Sequence, residues 1–78
     1  MFVVRMDTSR ILKTFGENLK KIREAKGKDW TQNYVADLVG IGEQHLSKLE
    51  RGLHEPGIIL TAQLAQVLDC KVEELIKL

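Results

Sequence analysis

Apolar residues recur at helical spacing on both sides of Gly40, and this pattern constrains the fold more than any other feature of the chain. Counted from Gln32 as position one, they occupy positions four, eight, ten, fifteen and eighteen, with Ala36 at position five and Gly40 at position nine. Two helices joined by a tight turn need a small residue where they cross and a positive φ in the turn. The pattern therefore predicts two packed helices over about residues 32–51. Its apolar positions are Val35, Val39, Ile41, Leu46 and Leu49.

Capping residues extend this interpretation to an all-α fold of five helices. Thr31 is a good N-cap, and Trp30 before it and Val35 after it match a hydrophobic staple. The predicted helices begin near residues 8, 31, 43, 58 and 72 and end near residues 27, 40, 51, 68 and 78. We therefore expect one domain over residues 8–78, preceded by an N-terminal arm over residues 1–7.

Composition excludes several classes of protein. The chain has 78 residues, of which 44% are apolar and 29% charged, so we expect a single folded domain. No apolar run approaches the ~20 residues of a membrane span, and the one cysteine, Cys70, argues against a Cys-rich zinc site. The sequence shows no Ser/His/Asp group, Gly-rich phosphate loop or paired-carboxylate site. We expect a cytoplasmic protein that is not an enzyme and carries no cofactor or metal.

Charge is unevenly distributed along the chain. Residues 1–30 contain eight Lys or Arg against four Asp or Glu, whereas residues 31–78 contain four against seven. A basic half can present a positive face to phosphates, although an ordinary solvated surface explains the same numbers.

The motifs together resemble those of the Cro/C1-type (XRE-family) helix-turn-helix regulators, which include phage repressors and restriction–modification controller proteins. Thr-Gln at the start of the second helix and Leu-Ser-x-Leu-Glu-Arg-Gly at the end of the third are the most specific. The resemblance implies a five-helix, lambda-repressor-like DNA-binding domain with the helix-turn-helix at helices 2 and 3. The matching residues are Phe15-Gly16, Leu19-Lys20, Arg23, Gly27, Thr31-Gln32, Val35-Ala36, Gly40-Ile41, Leu46-Ser47, Leu49-Glu50-Arg51-Gly52, Pro56, Leu64-Ala65, Leu68 and Leu75.

The resemblance also implies which residues meet double-stranded DNA. Glu43, Gln44 and Lys48 correspond to positions that face base edges, and their side chains suit cytosine, adenine and guanine respectively. Glu43 could instead only complement the positive end of its helix. The predicted DNA-binding residues are Thr31, Gln32, Glu43, Gln44, Ser47, Lys48 and Arg51.

Two of these residues have competing roles. Gln32 lies where a helix N-terminus favours a phosphate, but it could be a simple cap-region residue. Arg51 could bind a phosphate or only neutralise the C-terminal end of its helix. Separately, Arg23 and Glu50 match family positions that form an ion pair across the core, and we expect both charges to be buried.

The favoured function is a sequence-specific transcriptional regulator that binds a two-fold symmetric operator as a homodimer. It could be a controller protein, a phage-type repressor or an antitoxin. The alternative is a protein-interaction module that keeps the fold with weak or no DNA binding of its own. We expect the dimer surface on helix 5 and the end of helix 4, where Val72, Leu75, Ile76 and Leu78 exceed the apolar content of one face of a two-turn helix.

Overall fold

The computed structural model describes residues 8–77, which form five α-helices and no strand. The arm over residues 1–7 and the predicted dimer residue Leu78 lie outside the described part. The predicted all-α fold is confirmed, and the predicted helices begin within one residue of those observed. The helices are α1 (Thr8–Ala25), α2 (Gln32–Val39), α3 (Glu43–Glu50), α4 (Gly57–Val67) and α5 (Val72–Ile76).

One apolar core joins all five helices. Helix α1 packs against α3 and α5, α2 packs against α3 and α4, and α4 packs against α5. Burying a leucine side chain fully is worth about 1.5–3 kcal/mol, so the leucines dominate the stability of this small domain. The buried core residues are Phe15, Leu19, Val35, Ala36, Leu46, Leu49, Leu64, Ala65, Leu68 and Leu75.

The turn between α2 and α3 has the predicted chemistry. Gly40 adopts φ 77°, and the N–H of Ile41 donates to the carbonyl of Ala36 at 2.9 Å, which satisfies an orphan carbonyl at the end of α2. Ala36 is 1% exposed, as a crossing point requires. Of the five predicted apolar positions, three are fully buried and two, Val39 and Ile41, are half-buried against the core.

Helix α5 is short and is held in place by its neighbours. Its N-cap, Lys71, makes no side-chain capping bond, and five residues are too few for a helix that is stable alone. The amide of Asn18 on α1 donates to the carbonyls of Leu75 at 3.0 Å and Lys77 at 2.9 Å. Leu75 is fully buried in the core. Its predicted place on a dimer surface is therefore wrong, because the face of α5 that carries Leu75 packs inside the monomer.

No helix among the described residues is long and apolar enough to cross a membrane.

Candidate nucleic-acid interface

Helix α3 divides into a buried side and an exposed side. Leu46, Leu49 and Glu50 are buried, whereas Gln44 and Lys48, one helical turn apart, are exposed. Within residues 8–77 neither exposed side chain makes a hydrogen bond or ion pair, so both are available to a ligand. The exposed side therefore offers an amide and an ammonium group with no competing partner in the described part of the chain.

Four predicted DNA-binding residues share this side of α3. Gln44, Ser47, Lys48 and Arg51 follow one another at spacings of three, one and three residues, which places them on one helical face. Ser47 is half-buried, and Glu43 lies exposed in the first turn. These five residues define the α3 polar face.

Arg51 lies at the C-terminal end of α3, and its side chain turns back on the helix. Its Nε donates to the carbonyl oxygen of Ser47 at 3.3 Å, and the residue is exposed. The same carbonyl accepts from the backbone N–H of Arg51 at 3.1 Å, so the side chain adds a second, charged donor at the C-terminal end of the helix, which is the structural role weighed for this residue. The remaining guanidinium N–H groups can still bind a phosphate.

The other two predicted residues lie at the start of α2. Thr31 is the N-cap of α2, and its hydroxyl accepts a hydrogen bond from the N–H of Tyr34 at 3.1 Å. Gln32, the first residue of the helix, is half-buried, and its Nε2 donates to Oε1 of Glu50 at 2.9 Å. Gln32 is therefore connected to the end of α3 as well as to the start of α2.

A buried ion pair joins these elements. Arg23 donates to Glu50 through Nε at 2.7 Å and Nη2 at 3.0 Å, which confirms the predicted pair. Arg23 and Glu50 are 8% and 6% exposed. The hydrogen bonds that Arg23 donates to the Glu50 carboxylate raise the pKa of Arg23 above its ordinary value, so the guanidinium stays charged.

The same arginine fixes the loop before α2. Its Nη1 donates to the carbonyl of Trp30 at 2.8 Å. Sequence reasoning found the ion pair but missed this bond and the one from Gln32 to Glu50. Those contacts join residues up to 18 positions apart, and no local pattern signals them.

Two aromatic residues, Trp30 and Tyr34, lie beside the start of α2. Trp30 packs against the core, and its ring meets that of Tyr34 edge to face at 5.1 Å between centroids. Lys26 places its ammonium 5.2 Å from the centre of the tryptophan ring. These contacts support the staple interpretation of Trp30, because its ring holds the chain against the start of α2.

The histidines and the cysteine offer little chemistry. His45 and His54 approach each other with ring centroids 5.3 Å apart, but no three His, Cys, Asp or Glu residues within residues 8–77 are grouped to hold a metal. Cys70 is half-buried against the core, and burial raises the pKa of its thiol. This thiol is a weak nucleophile that fills space between α4 and α5.

Several known proteins are similar to this chain. A helix-turn-helix family model matches residues 19–75. The chain is 39% identical over 64 residues to the HTH-type transcriptional regulator y4dJ of Sinorhizobium fredii, covering 82% of this chain and 80% of the relative. It is 38% identical over 63 residues to the prophage-derived HTH-type transcriptional regulator YonR of Bacillus subtilis, covering 81% of this chain and 56% of that relative.

The third relative is the HTH-type transcriptional regulator AnsR of Bacillus subtilis, at 35% identity over 60 residues, 76% of this chain and 52% of AnsR. The chain thus spans only about half the length of YonR and AnsR. Among solved structures, the restriction–modification controller protein C.AhdI from Aeromonas hydrophila superposes with a TM-score of 0.81 at 31% identity, over 90% of this chain and 99% of that one. The named relatives are transcriptional regulators rather than enzymes. The chain therefore belongs to the helix-turn-helix family of DNA-binding transcriptional regulators, the Cro/C1-type (XRE) family that its sequence resembles.

Proposed function

We propose that this protein is a cytoplasmic, sequence-specific transcriptional regulator that binds a two-fold symmetric operator as a homodimer. The observation that carries the proposal is the α3 polar face, where Gln44 and Lys48 are exposed and have no partner within the described residues. Glutamine can bond bidentately to adenine, and lysine can reach the acceptors of guanine in the major groove. Thr31 and Gln32 at the start of α2 are suited to fix the domain on the phosphate backbone.

Base reading is tested by alanine variants on the α3 polar face. Gln44→Ala and Lys48→Ala should each weaken binding to an operator selected from a random DNA pool by about 1–3 kcal/mol, because each removes a base contact. Arg51→Ala is the matched control on the same face. It should weaken the operator and random DNA about equally, since phosphate contacts carry no direct sequence information.

Fluorescence titrations at fixed salt give both affinities. If Gln44→Ala leaves the ratio of operator to random affinity unchanged, Gln44 does not read bases. If the wild-type chain binds no DNA even at low salt, the proposed function is wrong, and an interaction module that has kept only the fold explains the protein better.

The homodimer follows from the amount of specificity required. One α3 offers about three base-reading residues, each worth ~1–3 kcal/mol at best. Specific and non-specific binding differ by about 4–10 kcal/mol, and imperfect contacts leave a single half-site near the bottom of that range. Two symmetric copies would roughly double the free energy that separates specific from non-specific binding. The half-sites should then be centred about 10 base pairs apart, or a multiple of that spacing.

The dimer surface we propose lies at the start of α4 and on the outer side of α5. Ile58 and Ile59 are 83% and 71% exposed, and Val72 and Ile76 are 39% and 52% exposed. Ile58, Val72 and Ile76 line a groove of about 470 Å³ that continues to the first turns of α1. Two copies facing each other here would cover side chains that water solvates poorly, whereas the end of α4, expected from the sequence, contributes no exposed large apolar side chain.

Ile58→Asp should convert the protein to a monomer in sedimentation experiments at micromolar concentration. The charge would be buried in the dimer, whereas the monomer already exposes this position and should keep its fold. Leu53→Asp, which changes a 60% exposed leucine outside the groove, is the control and should leave the oligomeric state unchanged. A wild-type chain that is monomeric and binds DNA one-to-one without cooperativity would contradict the proposed dimer.

A further inference from the structure

The carboxylate of Glu50 accepts three hydrogen bonds, two from Arg23 at 2.7 and 3.0 Å and one from Nε2 of Gln32 at 2.9 Å. A structural ion pair needs only the first two. We propose that Glu50 is a positioning residue for DNA binding, which holds the amide of Gln32 in the orientation that leaves one N–H to donate to a DNA phosphate. This inference rests on the proposed DNA-binding function.

Hydrogen-bond chemistry selects that orientation. An ionised carboxylate can only accept, so it must face the NH₂ end of the Gln32 amide and not its oxygen. One hydrogen of Nε2 is used by Glu50, and the second remains available. Without the carboxylate, the amide can turn about its last bond and present its oxygen to the phosphate instead. Two acceptors facing each other repel, so half of the accessible orientations are then unproductive.

The electrostatics of the network permit an anion nearby. A lone carboxylate would repel a phosphate placed on the other side of the amide, but the guanidinium of Arg23 binds Glu50 through two N–H groups and neutralises it. The raised pKa of Arg23 keeps the pair ionised. Gln32 is the first residue of the eight-residue helix α2, whose backbone N–H groups and dipole also favour an anion. Nothing in the network therefore opposes phosphate binding at Gln32.

A double-mutant cycle in DNA affinity tests the coupling. The probe is a random-sequence DNA duplex at low salt, because a phosphate contact does not depend on base sequence. Gln32→Ala should weaken binding about tenfold, the loss of one hydrogen bond to a charged group. Glu50→Gln should weaken it by a smaller factor, about twofold, because its single carbonyl oxygen cannot accept from all three donors and the amide of Gln32 is then no longer held in one orientation. The double variant should bind no more weakly than Gln32→Ala alone.

Lys48→Ala provides the control cycle, because loss of its positive charge should weaken binding to random DNA as well as to an operator. Lys48 is exposed on α3 and makes no contact with the network, so its loss and that of Glu50→Gln should multiply. If Glu50→Gln acted only by unfolding a fraction of the protein, its loss of affinity would multiply with that of Gln32→Ala as well as with that of Lys48→Ala. Circular dichroism at the assay temperature checks that each variant is folded. If Glu50→Gln is not, Glu50→Asp replaces it, since aspartate keeps the charge but is too short to serve both partners.

Two results would overturn the inference while leaving the proposed function intact. The first is that Gln32→Ala lowers the melting temperature but not the DNA affinity, which would make the amide a brace between α2 and α3. The second is that the losses from Gln32→Ala and Glu50→Gln multiply as they do for Lys48. A wild-type chain with no affinity for the duplex would overturn the proposed function together with the inference.

Discussion

Replacing Glu50 by alanine should lower the free energy of unfolding by about 3–5 kcal/mol, because it leaves the charge of Arg23 buried without its partner. The two side chains are 10% and 2% exposed, so water cannot replace the lost carboxylate without opening the core. The total stability of a domain of this size is only about 0.05–0.15 kcal/mol per residue. The melting temperature, followed by circular dichroism, should therefore fall by more than about 10 °C.

Glu17→Ala is the matched control, because Glu17 is an exposed carboxylate on the helix that carries Arg23, and its loss should change stability by less than about 0.5 kcal/mol. A second variant separates charge burial from packing. Arg23→Met combined with Glu50→Leu removes both charges while keeping volume, and should be far more stable than Glu50→Ala alone. If Glu50→Ala were no less stable than Glu17→Ala, the ion pair would not hold the core together.

The helix boundaries could be predicted because the signals are local. Thr31 caps α2 through its own hydroxyl, and Gly40 ends the same helix with a positive φ, so each residue acts on backbone within a few positions. The Arg23–Glu50 pair spans 27 residues, and its prediction depended on a family resemblance. The exposed side of α3, in contrast, was predictable from a local signal. The apolar pattern places Leu46 and Leu49 in the core, so the opposite face of the helix must be polar.

Long-range packing set the limit of what the sequence could predict. Leu75 and Ile76 are adjacent apolar residues of a short helix, and composition alone does not say which of them faces the core. Leu75 is fully buried and Ile76 is 52% exposed because α5 packs on α1, where Asn18 holds its last carbonyls. The exposed isoleucines at the start of α4 were missed for the same reason, as their exposure depends on where α1 and α5 lie.

Gly16 shows this limit most clearly, because local rules and packing predict opposite effects of one methyl group. A glycine inside a helix costs about 1 kcal/mol relative to alanine, so Gly16→Ala in α1 should stabilise the protein on helix propensity alone. In the folded chain α1 crosses the end of α3 at this position. An added Cβ would lie 2.5 Å from the carbonyl oxygen of Leu49 and 2.7 Å from the carbonyl carbon of Glu50. These are backbone atoms, and no side-chain rotation can relieve the overlap.

We therefore expect Gly16→Ala to destabilise the protein by about 3 kcal/mol, the upper end of the usual range for overpacking, because α1 and α3 must move apart. That movement also displaces Glu50 from Arg23, so DNA affinity should fall with stability. Gly42→Ala is the control, since Gly42 has φ −75° and no heavy atom within 4 Å of an added Cβ. It should change stability by less than about 1 kcal/mol, the range of an N-cap effect. Thermal denaturation distinguishes the two views: a higher melting temperature for Gly16→Ala would mean that helix propensity, and not the close approach of α1 to α3, governs this position.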